Sequence, residues 1–484
     1  MRSGAAAASG GWWATGLVAL LSPLPALLAF ASFGLLVTPD SATYLAYAEA
    51  LRAGPLPVGE ALLREGPAPA ALFRTPGYPA LLAALQALAP AHWPALLVGL
   101  QMLALALLAV LAHRTARALG LAPGLALLAA LLTATGHAVL AQISVMTDAI
   151  HTALAGGAAL LLWRAGVRPG GLGPVLIAGV LLGLATLVRE ATAHLALAYL
   201  PAAAIAAGRG AAGFRPARAL AGMALVLLPV LLAAGALLAE HQRRAGVAVL
   251  STSRQIVMVQ ALLPLVARGL PVFDGDDLYD TTARETVGRL GYAGIDPLNA
   301  RLFAAGMTAP EIAATASDRY ARAWRRHPAE MLRAMVVRLP TKMFGVGFMP
   351  VDMVAELHRQ FGEPRPWFGR PEALWQAARQ GSPSAALLLL ALLGSRVIGY
   401  ALAAGAILAP ALLAWRGDAR AWPALGAWLV IGGYFGMHLP VHLEQRYLLP
   451  VVPLVAMLGC LGWVAARRAA PGEARTPSAQ AERP

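Results

Sequence analysis

Two aspartates stand where apolar sequence gives way to polar sequence. Asp40 follows the run ATGLVALLSPLPALLAFASFGLLV, in TPDSATYL, and Asp148 opens another apolar run, in ISVMTDAIHTAL. A carboxylate so placed has two uses. It can cap or complement a helix N-terminus, an effect of roughly 0.3–2 kcal/mol. It can also serve as a base or charge partner, because an ionisable group at a membrane is expensive to keep and is a functional candidate by default. Three arginines are candidates to work with them. Arg74 precedes a Pro-Gly-Tyr-Pro corner in FRTPGYPALLAAL, Arg189 interrupts apolar sequence beside Glu190, and Arg446 lies in HLPVHLEQRYLLPVVPL. A guanidinium can grip a phosphate through two parallel hydrogen bonds. Each arginine also has a plain reading: a turn residue, half of an intramembrane ion pair, or an interfacial anchor. His194 lies about one turn beyond Arg189.

His438 and His442, at i and i+4, with Glu444, form a weak ligand set for a divalent metal, and Asp148 with His151 form another. Pro440 disturbs regular helix geometry in the first set. A divalent metal ion is the one cofactor these residues would suit. DGDDLYD, 274–280, lacks the spacing and distal Glu of a calcium loop and reads as a solvated acidic loop. Phosphate-cradling P-loops, dinucleotide glycine fingerprints and serine elbows are absent from the sequence.

The elements that must carry these residues are membrane helices. Of the 484 residues, 58 % are hydrophobic and 13 % charged, against about a quarter charged in a soluble domain. With a span of about 20 apolar residues as the ruler, candidates fall near 14–37, 94–112, 121–141, 148–163, 173–188, 191–207, 218–239, 385–415, 421–438 and 448–466. The eighth is long enough to be tilted or broken at Gly394-Ser395-Arg396. Arginines follow every even-numbered span: Arg114 and Arg117, Arg164 and Arg168, Arg209, Arg215 and Arg218, Arg416 and Arg420, then Arg467 and Arg468. The positive-inside rule makes these ends and both termini cytoplasmic. The formal charge of +14 is thus a topological signal, which argues against nucleic-acid binding.

The expectation is an all-α membrane protein of about ten spans. Residues 1–239 form a catalytic region with a first outer loop, 38–93, whose tyrosines 44, 47 and 78 suit the headgroup level. Residues 240–384 form an extracytoplasmic helical insert, in which APEIAATASDRYARAWRRH and PAEMLRAMVVRL read as amphipathic helices, with Pro328 near a helix start. Residues 385–468 carry the last spans, and 469–484 a disordered cytoplasmic tail. The single cysteine, Cys460, excludes an intrachain disulfide. The run from Trp13 to Val37 exceeds a secretory h-region and reads as an uncleaved anchor.

Taken in order, these motifs resemble the GT-C superfamily of polytopic glycosyltransferases. They are a first span ending in an aspartate and helix, the R-x-P-G-Y-P corner, an acid opening the fourth span, an arginine ending the fifth, and E-x-R-Y-L-L-P. Within it, the chain looks most like the bacterial branch related to protein O-mannosyltransferases and the lipid A aminoarabinose and galacturonic acid transferases. The resemblance covers roughly residues 10–240 and the last span. It implies a polyprenyl-phosphate-linked sugar as donor and an envelope lipid, glycan or protein as acceptor. It also implies transfer with inversion on the extracytoplasmic side of a bacterial inner membrane. It maps the family's first-loop aspartate to Asp40, its second acid to Asp148, and its two arginines to Arg189 and Arg446; Arg74, read from its own chemistry, is a further candidate phosphate ligand. Ser41 stands where protein mannosyltransferases usually carry a second acid, which weighs against a protein acceptor. Alternatives from other classes are a lipid-linked sugar transporter or flippase and a surface-glycan polymerase or ligase. The first predicts charges deep in several spans and on both faces. The second leans on arginines and a histidine in late outer loops.

Overall fold

A computed structural model describes residues 4–54, 58–64, 71–168, 171–210, 213–343 and 371–467. The expected 469–484 tail lies outside them. The chain is a bundle of apolar helices with a helical insert. Among the described residues, seven helices are long and apolar enough to cross a membrane, or eight if one bent pair counts as a span.

The first apolar run is broken. Helix α1 (Gly4–Leu21) passes to α2 (Leu24–Phe33) around Pro23, which lacks an amide hydrogen to continue the first helix. Gly34, at φ +72°, then ends α2 before the run is finished. Residues beyond it are extended, and Leu36 makes an isolated parallel bridge with Ser144. Helix α3 (Pro39–Ala53), the short α4 (Glu60–Leu63) and α5 (Gly77–Leu88) build the first loop. Its tyrosines, expected at the headgroup level, are covered by protein. Tyr44, Tyr47 and Tyr78 are buried, and Tyr44 meets Tyr78 edge to face with centroids 5.3 Å apart. The loop is a packed cap on one end of the bundle, because α3 and α5 have each other to bury against.

Helix α6 (Trp93–Ala118) is a full span, whereas the 121–141 run is α7 (Pro123–Leu132) and α8 (His137–Ile143), bent by 51°. Gly136, at φ +63°, makes the break. There follow α9 (Asp148–Val167), α10 (Gly173–Val188), α11 (Ala191–Gly208) and α12 (Pro216–Ala245). Lipid offers no hydrophobic drive between spans, so close backbone approach through small residues does the joining. A Cβ on Gly179 of α10 would lie 2.1 Å from the Leu225 carbonyl of α12, and one on Gly183 would lie 2.9 Å from that of Pro229. The helix Pro383–Trp415 is continuous through Gly394, so the break allowed for there does not occur. Ala421–His438 and Val452–Arg467 complete the bundle, the latter entered through a 3-10 turn, Gln445–Val451.

The basic loops meet at one end. Arg420 donates to the Leu119 carbonyl at 2.6 Å, and Arg209 to the carbonyls of Gly166 and Ala419 at 3.2 and 2.8 Å.

The insert has its own core. Helices α13 (Arg254–Val266), α14 (Leu278–Glu285), α15 (Val287–Leu290), α16 (Ile295–Ala304) and α17 (Ala309–Arg326) enclose Val259, Leu262, Leu298, Leu302 and Ile312, and α18 (Pro328–Met343) follows. The two amphipathic helices expected from sequence are α17 and α18. DGDDLYD, however, is not a merely solvated loop. It wraps the side chain of Arg319 from α17, which is only 7 % exposed. Asp280 accepts from Arg319 Nε at 2.7 Å, Asp318 from Nη1 at 2.8 Å, and Asp277 from Nη2. A guanidinium thus supplies the positive charge that the acids require.

Candidate active site

The site forms where five chain segments meet at the same face of the bundle. The Leu36–Ser144 bridge is its frame. Leu36 donates to the Ile143 carbonyl at 2.8 Å, and Val145 donates to that of Leu36 at 3.0 Å. Two strips of chain are thereby locked side by side, four residues before Asp40 and four before Asp148. Gln101, a lone amide in α6, donates to the carbonyls of Gln142 and Ser144 at 2.9 and 3.0 Å and accepts from Tyr78. Buried backbone carbonyls need such partners.

Asp40 is not the cap of α3. Thr38 is the N-cap, and its amide donates to the Ser41 hydroxyl at 2.8 Å. The Ser41 hydroxyl in turn donates to the Val145 carbonyl at 2.9 Å, tying the start of α3 to the second strip. With capping done by its neighbours, the Asp40 carboxylate is left to side-chain chemistry. Its Oδ1 accepts from Arg74 Nη2 at 2.8 Å and its Oδ2 from Arg446 Nη2 at 2.9 Å. Arg74 is fixed by Thr43, which accepts from its Nε at 2.9 Å, and by the rings of Tyr44 and Phe73, each 4.5 Å away.

Asp148, the first residue of α9, is 3 % exposed and accepts from Arg189 Nη1 at 3.0 Å, with Arg446 Nη1 at 3.9 Å. Arg189 leaves α10 in extended backbone, which turns its side chain off the helix axis. It stacks over the Tyr447 ring at 4.4 Å. Glu190 does not pair with it, as an intramembrane ion pair would require, but accepts from Ser253 of the insert at 2.7 Å. Arg446 is the hub, touching Asp40, Asp148 and Glu444.

Five of the residues singled out in the sequence, Asp40, Arg74, Asp148, Arg189 and Arg446, therefore form one continuous array. Three guanidiniums face two carboxylates, and Glu444 balances the remaining charge. Burial alone would raise the Asp40 carboxyl, but the charges and hydrogen bonds of Arg74 and Arg446 outweigh it and hold it below the ordinary carboxylate value. Burial likewise would raise Glu444, yet Arg446 and the His442 hydrogen bond hold it well below. Both are anions at neutral pH.

The candidate metal sets do not assemble. Among the described residues, no group of three or more His, Cys, Asp or Glu side chains is placed to hold a metal ion. Glu444 is occupied by His442, at 2.9 Å, and by Arg446. A cation would there compete with a guanidinium, while the His438 ring packs on Tyr447, 5.0 Å between centroids. His151 bonds Thr192 at 2.9 Å while Asp148 turns to Arg189, so those two also separate. His194 is exposed on α11 and takes no part.

Residues missed in the sequence are Thr43 and Gln101, while Ser41 and Tyr447 stand in its motifs without the contacts they make here. Gln101 carried a signal, an amide inside an apolar span. Thr43 carried none.

No protein-family model matches the chain, and no curated protein matches it in sequence. Among solved structures it is similar to the archaeal oligosaccharyltransferase AglB from Archaeoglobus fulgidus, in complex with an inhibitory peptide and a dolichol-phosphate. Identity is 12 %, the TM-score is 0.42, and 95 % of this chain aligns with 52 % of that one. The chain thus spans about half the length of that structure.

Proposed function

We propose that this chain is a membrane glycosyltransferase. It moves a sugar from a polyprenyl phosphate to a hydroxyl of an envelope lipid, glycan or protein on the extracytoplasmic side of a bacterial cell membrane, with inversion. The observation that carries the reading is the array itself: carboxylates and arginines far apart in sequence meet at one end of an apolar bundle. A lipid phosphate leaving group needs positive charge where its own charge develops, and an acceptor hydroxyl needs a carboxylate.

In the proposed step the acceptor oxygen bonds to the anomeric carbon and its proton passes to Asp40. The bond from that carbon to the phosphate oxygen breaks, and its electron pair leaves on the lipid phosphate. Arg446 and Arg189 stabilise that charge, with Arg74 beside them. Asp40 is a weak base while two arginines hold it. An incoming phosphate competes for those arginines and so raises the basicity of Asp40 when the donor is present. Asp148 keeps Arg189 and Arg446 aimed. A transporter would use the same arginines to grip a phosphate, but would have no need of a carboxylate held open at the mouth.

The test is mass spectrometry of envelope glycolipids and glycans from a deletion strain complemented with wild type or Asp40→Asn. Wild type should restore a hexose, pentose or uronic acid that Asp40→Asn does not. Restoration by Asp40→Asn at the wild-type level would overturn the assignment.

A further inference from the structure

The insert reaches the site by three attachments. Thr252 donates to the Leu72 carbonyl at 2.9 Å and Ser251 to that of Phe73 at 2.9 Å, both next to Arg74. Ser253 holds Glu190, and Tyr320 of α17 donates to the Pro440 carbonyl, four residues before Glu444, at 3.2 Å. Helix α13 therefore starts at the rim of the array and climbs from it. Seven residues along, about 10 Å at the helical rise, Gln260 is buried and donates to the hydroxyl of Tyr292 at 3.2 Å.

Tyr292 is unlike the other tyrosines around the site. It is 62 % exposed, yet it is held firmly. It sits in the 3-10 turn Gly291–Gly294, between a glycine at φ +59° and one whose Cβ would lie 2.5 Å from the Thr286 carbonyl carbon and oxygen. Only glycine permits both the left-handed entry and the close approach. Partial burial and the negative charges of Glu444 and Asp40 raise the Tyr292 phenol, against the smaller opposing effects of Gln260 and Arg446. Gln260 thus holds the ring about 10 Å along α13 from the rim of the array, fixed by its turn and largely exposed. A mobile exposed aromatic would lose freedom on binding anything, whereas this one is already placed.

A fixed aromatic face with an amide beside it fits a sugar ring. The electron-rich face attracts the polarised C–H groups on one side of a pyranose, and the phenol hydroxyl bonds its hydroxyls. We propose that Tyr292 is the platform on which the acceptor's sugar ring stacks, so that the acceptor is a glycan or glycolipid and the insert selects it. This rests on the transferase reading above. Tyr292 touches no reacting atom; it is a specificity residue.

The test uses membranes bearing the full chain, a radiolabelled polyprenyl-phosphate sugar fraction as donor, and an envelope extract of the deletion strain as acceptor. Tyr292→Ala should raise the half-saturating acceptor concentration about tenfold, while donor KM and kcat stay within about twofold. Tyr292→Phe, which keeps the ring face but loses the hydroxyl and its bond to Gln260, and Gln260→Leu should each move the acceptor constant in the same direction by less. An unchanged acceptor constant in Tyr292→Ala, equal changes for donor and acceptor, or label recovered in protease-sensitive polypeptide would each overturn the proposal. Asp40→Asn run alongside separates the two readings. If Asp40→Asn still transfers at the wild-type rate, the transferase site itself is wrong; if it is dead while Tyr292→Ala is unmoved, only the platform fails.

Discussion

At the scale of single residues, the two aspartates divide one problem between them. Asp40 is 37 % exposed at the mouth, and Asp148 is 3 % exposed beneath it. Asp40→Asn keeps shape and hydrogen-bonding capacity on an open side chain, so turnover should fall by about a hundredfold or more while the melting temperature in detergent falls only modestly. Asp148→Asn leaves Arg189 without its buried partner, and losing one side of such a pair costs about 3–5 kcal/mol. That variant should lose both activity and melting temperature, and scanning fluorimetry on the purified pair separates the cases. The pH dependence follows from the same contacts. A carboxyl held low by arginines is ionised at every pH above its depressed value. Its pairing therefore stabilises the fold above the ordinary aspartate pKa, and that contribution is lost as pH falls through the lower, folded value. The acid limb of the free enzyme's kcat/KM should lie below pH 3.8, the ordinary aspartate value. Arg74→Gln should move it upward, and an acid limb identical in both proteins would show that Arg74 does not set the charge of Asp40.

At the scale of elements, the site depends on how chain segments are pressed together. Gly77 opens α5 three residues after Arg74, and a Cβ there would lie 2.5 Å from the Leu187 carbonyl oxygen, two residues before Arg189. Backbone cannot give way as a flexible side chain would. Gly77→Ala should therefore force the corner off the end of α10, cost about 1–3 kcal/mol, and lower transfer although no substrate touches Gly77. Melting temperature and rate measured together check this, and a fully active, fully stable Gly77→Ala protein would contradict it. Much of this arrangement was legible in the sequence. Apolar runs gave the helices, and the five array residues stood out as charges where those runs end. What stayed hidden was partner choice across long separations. Arg189 and Glu190 read as a pair because they are adjacent, yet one goes to Asp148 and the other to Ser253. Asp40 read as a possible cap because the Thr38–Ser41 bond cannot be seen before the helix start is placed. The break at Gly34 is a single residue in an apolar run, and that at Gly136 lies among Thr133, Thr135 and His137 in a run still apolar on average, so hydropathy passes over both.

At the scale of the whole molecule, the insert has an apolar core of its own and touches the bundle beside the array, so its stability should be separable from that of the bundle. Its apolar core is small, and one polar knot closes it. Arg319 is surrounded by Asp277, Asp280 and Asp318, and Asp280 also accepts from the Gly275 amide at 2.7 Å, so this guanidinium ties the middle of the acidic loop to α17, while Arg322 and Arg326 hold its first residue, Asp274. Replacing Arg319 by methionine fills similar space but leaves the buried Asp280 carboxylate without its cation, beside the half-exposed Asp277 and Asp318. Removing one side of such a cluster costs about 3–5 kcal/mol, a large share of what a unit this size can have. Lysine would restore the charge without the fork that serves three acids, and should recover only part of it. Arg319→Met membranes should thus be cleaved within residues 251–327 by a protease that spares wild type, while the bundle remains folded. Transfer should fall with the insert, because its contacts at Phe73, Glu190 and Pro440 border the array. An Arg319→Met protein as protease-resistant as wild type would mean that the apolar core alone holds the insert, and that the acidic loop closes around Arg319 without supporting it.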